Sequence, residues 1–433
     1  MNVSVIGAGK MGLPLACQLA ANGASVTACD INPSLVEAIN EGRCPLDEPG
    51  VPELLRPLVA AHQLRATTDT AAAVARSDVA ILIVPAVLTV NRAIDPSNLI
   101  AASQGIAKGL HPGMMICCET TLPVGGTRRI LQPIYETSGL KAGADFDLVF
   151  SPERVKSQRV LLHLTQTPKI VGGITPQAAA RAAEFYGRYL GAPVINLGTL
   201  EAAEFAKLAG MIYRDTNIAL ANELARYAQE VGVDLGPVIR AANTDGESHL
   251  LWPGIGVGGH CTPVYPYFLI NDARQRGIPL ALPEEGRRIN DTQAAYMIAR
   301  VERLWGSLRG RRAMILGLGF RPQVKEHIYS TAFLLRDALQ ERGTEVSLHD
   351  PLYTEEEIQR HGFTPASLQA DPFPELLILN TAHKAYEQLD FRALAARGAR
   401  VALDGRDAWE PSVVCKAGLM YVGIGRPASP PQP

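Results

Sequence analysis

The sequence predicts an α/β protein in which two Rossmann-like parallel-sheet domains are joined by a central helical region. Three observations carry this. Short apolar runs alternate with Ala/Leu-rich helical stretches over residues 1–150. Strand–helix alternation implies a parallel sheet covered on both faces. The same alternation restarts near Arg311. Between the two, 201–231 is the longest helical pattern, rich in Ala, Leu and Glu and free of Pro. The expected division is 1–198, a dinucleotide-binding domain; 199–305, a helical middle; 306–425, a second α/β domain; and 426–433, a Pro-rich tail expected to be disordered.

Each element follows from its own stretch of chain. Residues 3–6 read as the first strand, 13–21 as a helix, 25–28 as the second strand and 33–41 as a helix. The longest apolar stretch, 79–90, is 12 residues with Pro85 inside it. That is too short to span a membrane and suits a buried strand at 79–84 with its loop. Further strands are expected at 114–118 and 147–150. In the second half, 313–317 reads as a strand, 331–342 as a helix, and 345–349, 376–380 and 401–403 as strands. The two halves look like a distant architectural repeat with no short sequence period.

Composition narrows the class. The chain has 433 residues, 47% of them hydrophobic, which excludes a disordered or fibrous protein. Lys+Arg is 41 and Asp+Glu 43, a net charge of -2. That balance gives no support for a nucleic-acid or membrane partner. The seven Cys match neither a zinc site nor a disulfide framework, so no metal is expected. They read mostly as buried, reduced thiols of a cytoplasmic protein. The N-terminus enters a strand directly and lacks a basic leader segment.

The first strand ends in Gly7-Ala8-Gly9-Lys10-Met11-Gly12 and opens a helix. Gly7 permits the tight turn, Gly9 lets a pyrophosphate approach the backbone, and Gly12 lets the helix pack closely on the sheet. The helix N-terminus offers unpaired N–H groups to phosphate. Asp30 ends the second strand, where a carboxylate accepts from both ribose hydroxyls and repels a 2′-phosphate. No Arg follows it, so NAD is expected over NADP. The plainer alternative is that these glycines only make a turn. The second α/β half carries Gly317-Leu318-Gly319-Phe320-Arg321-Pro322, which lacks the third glycine and makes a poor second NAD site. Arg321 is open to two readings, a phosphate contact or a solvated surface residue.

Among the cysteines, Cys261 stands out. It closes the run 253–261, in which Gly254, Gly256, Gly258 and Gly259 are four of nine residues, and it follows His260. Such a loop can bring backbone N–H groups against a ligand. A thiol at its end is a candidate nucleophile. A buried structural Cys beside a flexible turn is the alternative.

This stretch resembles the signature of the nucleotide-sugar dehydrogenase family, the UDP-glucose and GDP-mannose 6-dehydrogenases. So do Glu119-Thr120-Thr121-Leu122-Pro123, Ser151-Pro152-Glu153-Arg154-Val155, Glu204-Phe205-Ala206-Lys207 with Asn222-Glu223, Arg288-Ile289-Asn290-Asp291 and Thr381-Ala382-His383. The likeness runs in order over roughly residues 1–425. It implies NAD-dependent oxidation of a sugar C6 alcohol to a uronic acid through a thiohemiacetal and a thioester on Cys261. It further implies that Lys207 stabilises oxyanions, that Glu153 is the base for hydrolysis, and that Thr121 holds a water or the substrate hydroxyl. NAD would lie against Gly7, Gly9, Met11, Gly12, Asp30, Pro85, Thr121 and Glu153. The nucleotide sugar would lie against Lys207, Gly256, Gly258, Gly259 and Arg321 in a C-terminal nucleotide-sugar-binding domain. The long central helix resembles the family's dimer helix and implies a homodimer; internal packing is the other role it could have.

The departures fall at sites of chemistry. The family's Asn four residues after the lysine is Met211, and its Asp four residues after the cysteine is Tyr265, also at a catalytic position. The Arg of its third-domain pattern aligns with Ile328. A Val-Pro-Thr-Pro turn has become Val84-Pro85-Ala86-Val87, and Ser157-Gln158 replace a Pro-Gly. Three readings follow. The first is the full oxidation to the acid. The second is a relative with altered chemistry: a two-electron oxidation, redox-neutral use of bound NAD, or an unusual nucleoside or nucleotide-sugar substrate. The third is a catalytically silent binding homologue.

Overall fold

The structure, a computed structural model, describes residues 1–89 and 92–432. Val90, at the end of the apolar stretch 79–90, and Pro433, at the end of the tail, lie outside the described residues. The chain forms two compact units, 1–210 with 267–276, and 211–266 with 277–433.

The first unit is built on an eight-stranded sheet. Its strands are β1 (Asn2–Ile6), β2 (Ser25–Cys29), β3 (Leu64–Thr67), β4 (Val79–Leu82), β5 (Met115–Cys118), β6 (Asp147–Phe150), β7 (Lys169–Gly173) and β8 (Val194–Thr199). The order is β8-β7-β6-β5-β4-β1-β2-β3. The continuous apolar runs are explained by two cores, one on each face. Val79, Ile81, Met115 and Cys117 enter one core, while Ala80, Leu82, Ile116 and Cys118 enter the other. Side chains that alternate between two buried faces leave no polar side to the strand. The expectation of an all-parallel sheet is corrected at one point, where β7 runs antiparallel to β6.

The second unit holds a six-stranded parallel sheet: β9 (Arg312–Leu316), β10 (Glu345–His349), β11 (Thr364–Pro365), β12 (Leu376–Leu379), β13 (Val401–Asp404) and β14 (Met420–Gly423). Its order, β11-β10-β9-β12-β13-β14, repeats the β3-β2-β1-β4-β5-β6 order of the first sheet. That is the doubly wound arrangement, whose ligands bind beyond the carboxyl ends of the strands where the order reverses.

The first strand of each sheet leads into a glycine turn. In the first unit the turn opens α1 (Gly12–Ala21). The long helix is α2 (Leu200–Glu230), followed by α3 (Tyr265–Gln275) and α4 (Ala281–Trp305). Within the second unit α4 lies against α2, where a Cβ on Gly286 would come 3.3 Å from the Thr216 Cα. Among the described residues no helix is long and apolar enough to cross a membrane.

The tail differs from its expected disorder. Tyr421 and Ser429 exchange backbone hydrogen bonds of 2.9 and 3.0 Å, and the Gln432 N–H donates to the Cys415 carbonyl. Arg426 pairs with Asp407 at 2.8 Å.

Candidate active site

The glycine turn after β1 is built by contact. Gly7 has φ +103, and a Cβ there would lie 2.8 Å from the Ile83 carbonyl oxygen. A Cβ on Gly12 would lie 1.8 Å from the Gly7 carbonyl oxygen. Gly9 is different: a Cβ there meets nothing within 4 Å. α1 starts at Met11 and Gly12 with neither a capping side chain nor an acid in its first turn. Its N-terminal N–H groups therefore face outward with the positive end of the helix dipole. Asp30 is half-buried, and its carboxylate accepts from Ala8 N–H at 2.9 Å and Asn32 N–H at 3.0 Å. An open approach at Gly9, an uncapped helix start and a ribose-height carboxylate fit the dinucleotide NAD.

A second group of side chains collects at the carboxyl ends of β5 and β6. The antiparallel register pairs Val149 with Gly173 and Phe150 with Gly172. Continued past Phe150, it sets Glu153 across from Lys169. The Lys169 ammonium lies 3.2 Å from Glu153 Oε2 and 2.7 Å from Glu119 Oε2. Tyr186 Oη donates to the other oxygen of Glu119 at 2.7 Å. Lys207, buried on α2, donates from its ammonium to the Glu153 backbone carbonyl. Thr121 is buried nearby in sequence, and its neighbour Thr120 donates to the Val84 carbonyl at 2.6 Å. That bond ties the Thr121 turn to the segment carrying Pro85, which is itself exposed.

The electrostatics follow from burial and from Lys169. Burial pushes Glu119 up to about 7, against the pull of Lys169. Burial works the same way on Glu153, but Lys169 and the hydrogen bonds from Glu119 and Arg154 N–H outweigh it. The Glu153 carboxyl is held below its usual range. Lys169 is desolvated, yet the two carboxylates hold its proton more tightly than usual.

In the second unit Cys261 is the exposed cysteine among the described residues. Burial pushes the thiols of Cys17, Cys29 and Cys117 up to about 12, and also raises those of Cys44, Cys118 and Cys415. The Cys261 carbonyl accepts from Val264 N–H at 3.1 Å and from Tyr265 N–H at 2.9 Å. Tyr265 is thus the half-buried first residue of α3.

The glycines before Cys261 are closely packed on the side where a Cβ would stand. A Cβ on Gly258 would sit 2.6 Å from Phe320 Cβ, one on Gly259 2.9 Å from the Phe320 ring, and one on Gly256 2.7 Å from Thr331 Cγ2. Gly254 N–H donates to Asn222 Oδ1 at 2.9 Å, Ile255 N–H to Gly405 and Gly259 N–H to Ile328, both at 3.1 Å. Where close approach to a ligand is the sequence expectation, these three side-chain directions are filled by 320–331 of the same unit. Arg321 and Ile328 are half-buried in that segment.

The second glycine turn is closed on itself. Gly317 has φ +98, and a Cβ there would lie 2.4 Å from Thr381 Cβ. Asp350, at the end of β10, accepts from Leu318 N–H at 2.7 Å and Gly319 N–H at 3.2 Å. His383 Nε2 lies 3.4 Å from the same carboxylate, with both side chains fully buried.

Other contributors carry no assigned role in the sequence reading. Arg287 is buried on α4 and pairs with buried Asp215 of α2 at 2.7 Å. Asn290 donates to Asp215 Oδ1 at 2.9 Å, and Asn222 donates to Asn290 Oδ1 at 2.9 Å. Through the Gly254 bond this polar seam fixes the start of the cysteine loop. Asp215 and Asn222 are two turns apart on one helix, a spacing that could have linked them. Lys169 had a weaker signal, a lone cation opening the apolar run Ile170-Val171.

Comparison with known proteins agrees along the chain. Three models of the UDP-glucose/GDP-mannose dehydrogenase family match: the NAD binding domain over 1–190, the central domain over 201–292 and the UDP binding domain over 314–411. The NDP-N-acetyl-D-galactosaminuronic acid dehydrogenase of Ralstonia solanacearum is 30% identical over 94% of this chain and 96% of its own length. The UDP-N-acetyl-D-mannosamine dehydrogenase of Pyrococcus horikoshii is 29% identical over 98% of this chain and 99% of its own. A solved structure of a UDP-D-ManNAc dehydrogenase from Pyrococcus horikoshii superposes with a TM-score of 0.89, covering 98% of this chain and 99% of that one at 28% identity.

Proposed function

Since the chain belongs to the UDP-glucose/GDP-mannose dehydrogenase family and carries its NAD binding domain, we propose that it oxidises the C6 primary alcohol of a nucleotide sugar to the uronic acid through Cys261. The observation that carries this is the contrast among the thiols: six are buried or half-buried and raised, and Cys261 is exposed at the end of a fixed loop. NAD held at Gly7, Gly9, Met11, Gly12 and Asp30 supplies the hydride acceptor. Cys261 Sγ adds to the C6 aldehyde to give a thiohemiacetal, whose oxidation leaves a thioester. Lys207 stabilises the oxyanions, and Glu153 takes a proton from the water that releases the acid and the thiol. Thr121 orients that water or the sugar hydroxyl. Gly256, Gly258, Gly259 and Arg321 belong to the nucleotide-sugar side.

A second reading is favoured by two residues. Met211 replaces an amide of the family's pattern and removes its hydrogen-bonding groups, while Tyr265 replaces a charged carboxylate with a neutral phenol in the water and proton chemistry. That supports a relative that stops after two electrons or recycles bound NAD. Counting NADH per nucleotide sugar consumed, over a panel of UDP- and GDP-sugars, separates the readings. Two NADH and an acid product support the first; one NADH, or product without net NADH, supports the second. Binding without turnover supports a silent homologue. Acid formed at full rate by Cys261→Ser overturns the thioester route.

A homodimer is part of the proposal. Tyr213, Leu220 and Tyr227 on α2, and Val231 just past its end, are 56, 44, 68 and 50% exposed. Their spacing of seven, seven and four puts them on one helix face, and a second copy is the occupant such a seam fits. Sedimentation of the wild type against Tyr227→Glu tests it: a dimer turning monomeric supports the seam, and a monomeric wild type overturns it. The seven free cysteines fit a reducing, cytoplasmic setting.

A further inference from the structure

Glu119 is a buried carboxyl with no role in the chemistry above. It is 1% exposed, and its two oxygens meet Tyr186 Oη and the Lys169 ammonium, each at 2.7 Å. Lys169, 5% exposed, bridges on to Glu153 at 3.2 Å and lies 5.0 Å from the centre of the Tyr186 ring. Two carboxyls thus share one ammonium in a dry place. With all three ionised the group carries one uncompensated negative charge, which burial disfavours.

A shared proton resolves this, and its position follows from the surroundings. Glu153 is the more open carboxyl, accepts Arg154 N–H at 2.6 Å and has the Lys207 ammonium at its backbone carbonyl. Glu119 is enclosed by Tyr186, whose hydroxyl also meets Cys117, with Arg181 farther along the same helix. When the group takes up one proton, that proton therefore settles on Glu119 and not on Glu153. Glu153 and Lys169 also line a small cleft with Pro152, His163, Thr167 and Pro168.

We propose that Glu119 is the proton store behind Glu153: starting from the fully ionised group, the proton Glu153 takes from the hydrolytic water passes through the Lys169 ammonium to the Glu119 carboxylate, restoring the Glu153 carboxylate. The transfer balances. Lys169 gives one proton to ionised Glu119 and receives one from protonated Glu153, so the ammonium and the net charge are unchanged. Glu119 acts through Glu153 and is a positioning residue. The inference rests on the reading of Glu153 as the base. The upward shift of Glu119 to about 7 agrees with a store that can both hold and release a proton near neutral pH.

Infrared titration of the full-length protein tests the proton's location without substrate. Buried Glu204 is pushed up to about 7 as well, so the wild type should show carboxyl absorbance titrating near neutral pH that is reduced by one group in Glu119→Gln and by the other in Glu204→Gln. In Glu153→Gln the band should persist with a lower midpoint, because a neighbouring negative charge is gone. A near-neutral band undiminished in Glu119→Gln, or none in the wild type, overturns the store. Where Glu119→Gln fails to fold, Tyr186→Phe, which removes a hydrogen bond to Glu119 and leaves Lys169 and Glu153 in place, should shift the midpoint of the same band, and an unshifted midpoint overturns the assignment. With the panel's best nucleotide sugar, Glu119→Gln should slow acid release about tenfold and flatten its pH profile while the first NADH forms normally. Glu119→Asp should restore the profile. Slow release by Glu153→Gln beside wild-type release by Glu119→Gln overturns the store alone. Wild-type release by Glu153→Gln overturns the base reading and the store with it.

Discussion

Glu153 and Lys169 face each other across the continuation of an antiparallel strand pair, their charged ends 3.2 Å apart. Had β7 run parallel to β6, its first residue would begin at the opposite edge of the sheet. The reversal delivers a cation to the carboxyl ends of β5 and β6. Lys169→Met removes the cation from two carboxyls, and breaking such a buried pair costs about 3–5 kcal/mol. Urea unfolding of that variant, with Lys169→Arg losing less, checks it.

Stability should depend on pH through Glu119. Its folded value, about 7, lies above its ordinary 4.5. Between these values the folded chain keeps a proton that the unfolded chain has released. The contribution is fully present below the unfolded value and is lost as pH rises through the folded one. Glu153 has the opposite sign: its contribution is present above its unfolded value and lost as pH falls through its lowered folded value. Unfolding free energies measured from about pH 5 to about pH 8 should decline in the wild type and decline less in Glu119→Gln.

Two glycines of one turn should behave differently. A Cβ on Gly9 meets nothing, so Gly9→Ala should change stability by under about 0.5 kcal/mol while weakening NAD binding. A Cβ on Gly12 would sit 1.8 Å from a carbonyl oxygen, so Gly12→Ala should unfold readily. Thermal melts with and without NAD, and calorimetric titration with NAD, distinguish them.

Gly258→Ala should also destabilise, by about 1–3 kcal/mol, because its methyl would overlap Phe320. The overlap is with Phe320 Cβ, which Leu retains, so Gly258→Ala with Phe320→Leu should recover little of the loss. Melting temperatures of the two variants check this.

Thiol labelling of the native protein should show one fast site. Cys261 is exposed and the other six are buried or half-buried. Iodoacetamide followed by peptide mapping should mark Cys261 first, and Cys261→Ser should lack the fast phase.

Much of this was legible in the sequence, for reasons tied to particular residues. Gly7 and Gly12 are required by contacts that admit no side chain, so the first turn is written in its residue types. The strand runs are legible because both faces are buried. The β7 reversal is not, since strand direction depends on how 151–168 crosses the sheet edge, and that segment has no turn signature. Lys169 and Tyr186 gain their roles only through that reversal. The tail reads as disordered from its prolines, yet β14 is an edge strand whose Tyr421 N–H and carbonyl need partners, and Ser429 supplies both. Gly256, Gly258 and Gly259 read as a ligand cradle because close approach to a ligand and close approach to Phe320 or Thr331 demand the same residue.

The two glycine turns end in matching aspartates, Asp30 half-buried on Ala8 and Asn32, and Asp350 sealed against Leu318, Gly319 and His383. If the halves descend from one duplicated ancestor, the copies have diverged at a single kind of atom. One carboxylate stays available to a diffusing molecule, while its counterpart has become internal glue. An engineer who wants a second open carboxylate in this chain should therefore start by clearing His383 from Asp350 and would gain nothing from a third glycine near Pro322 alone.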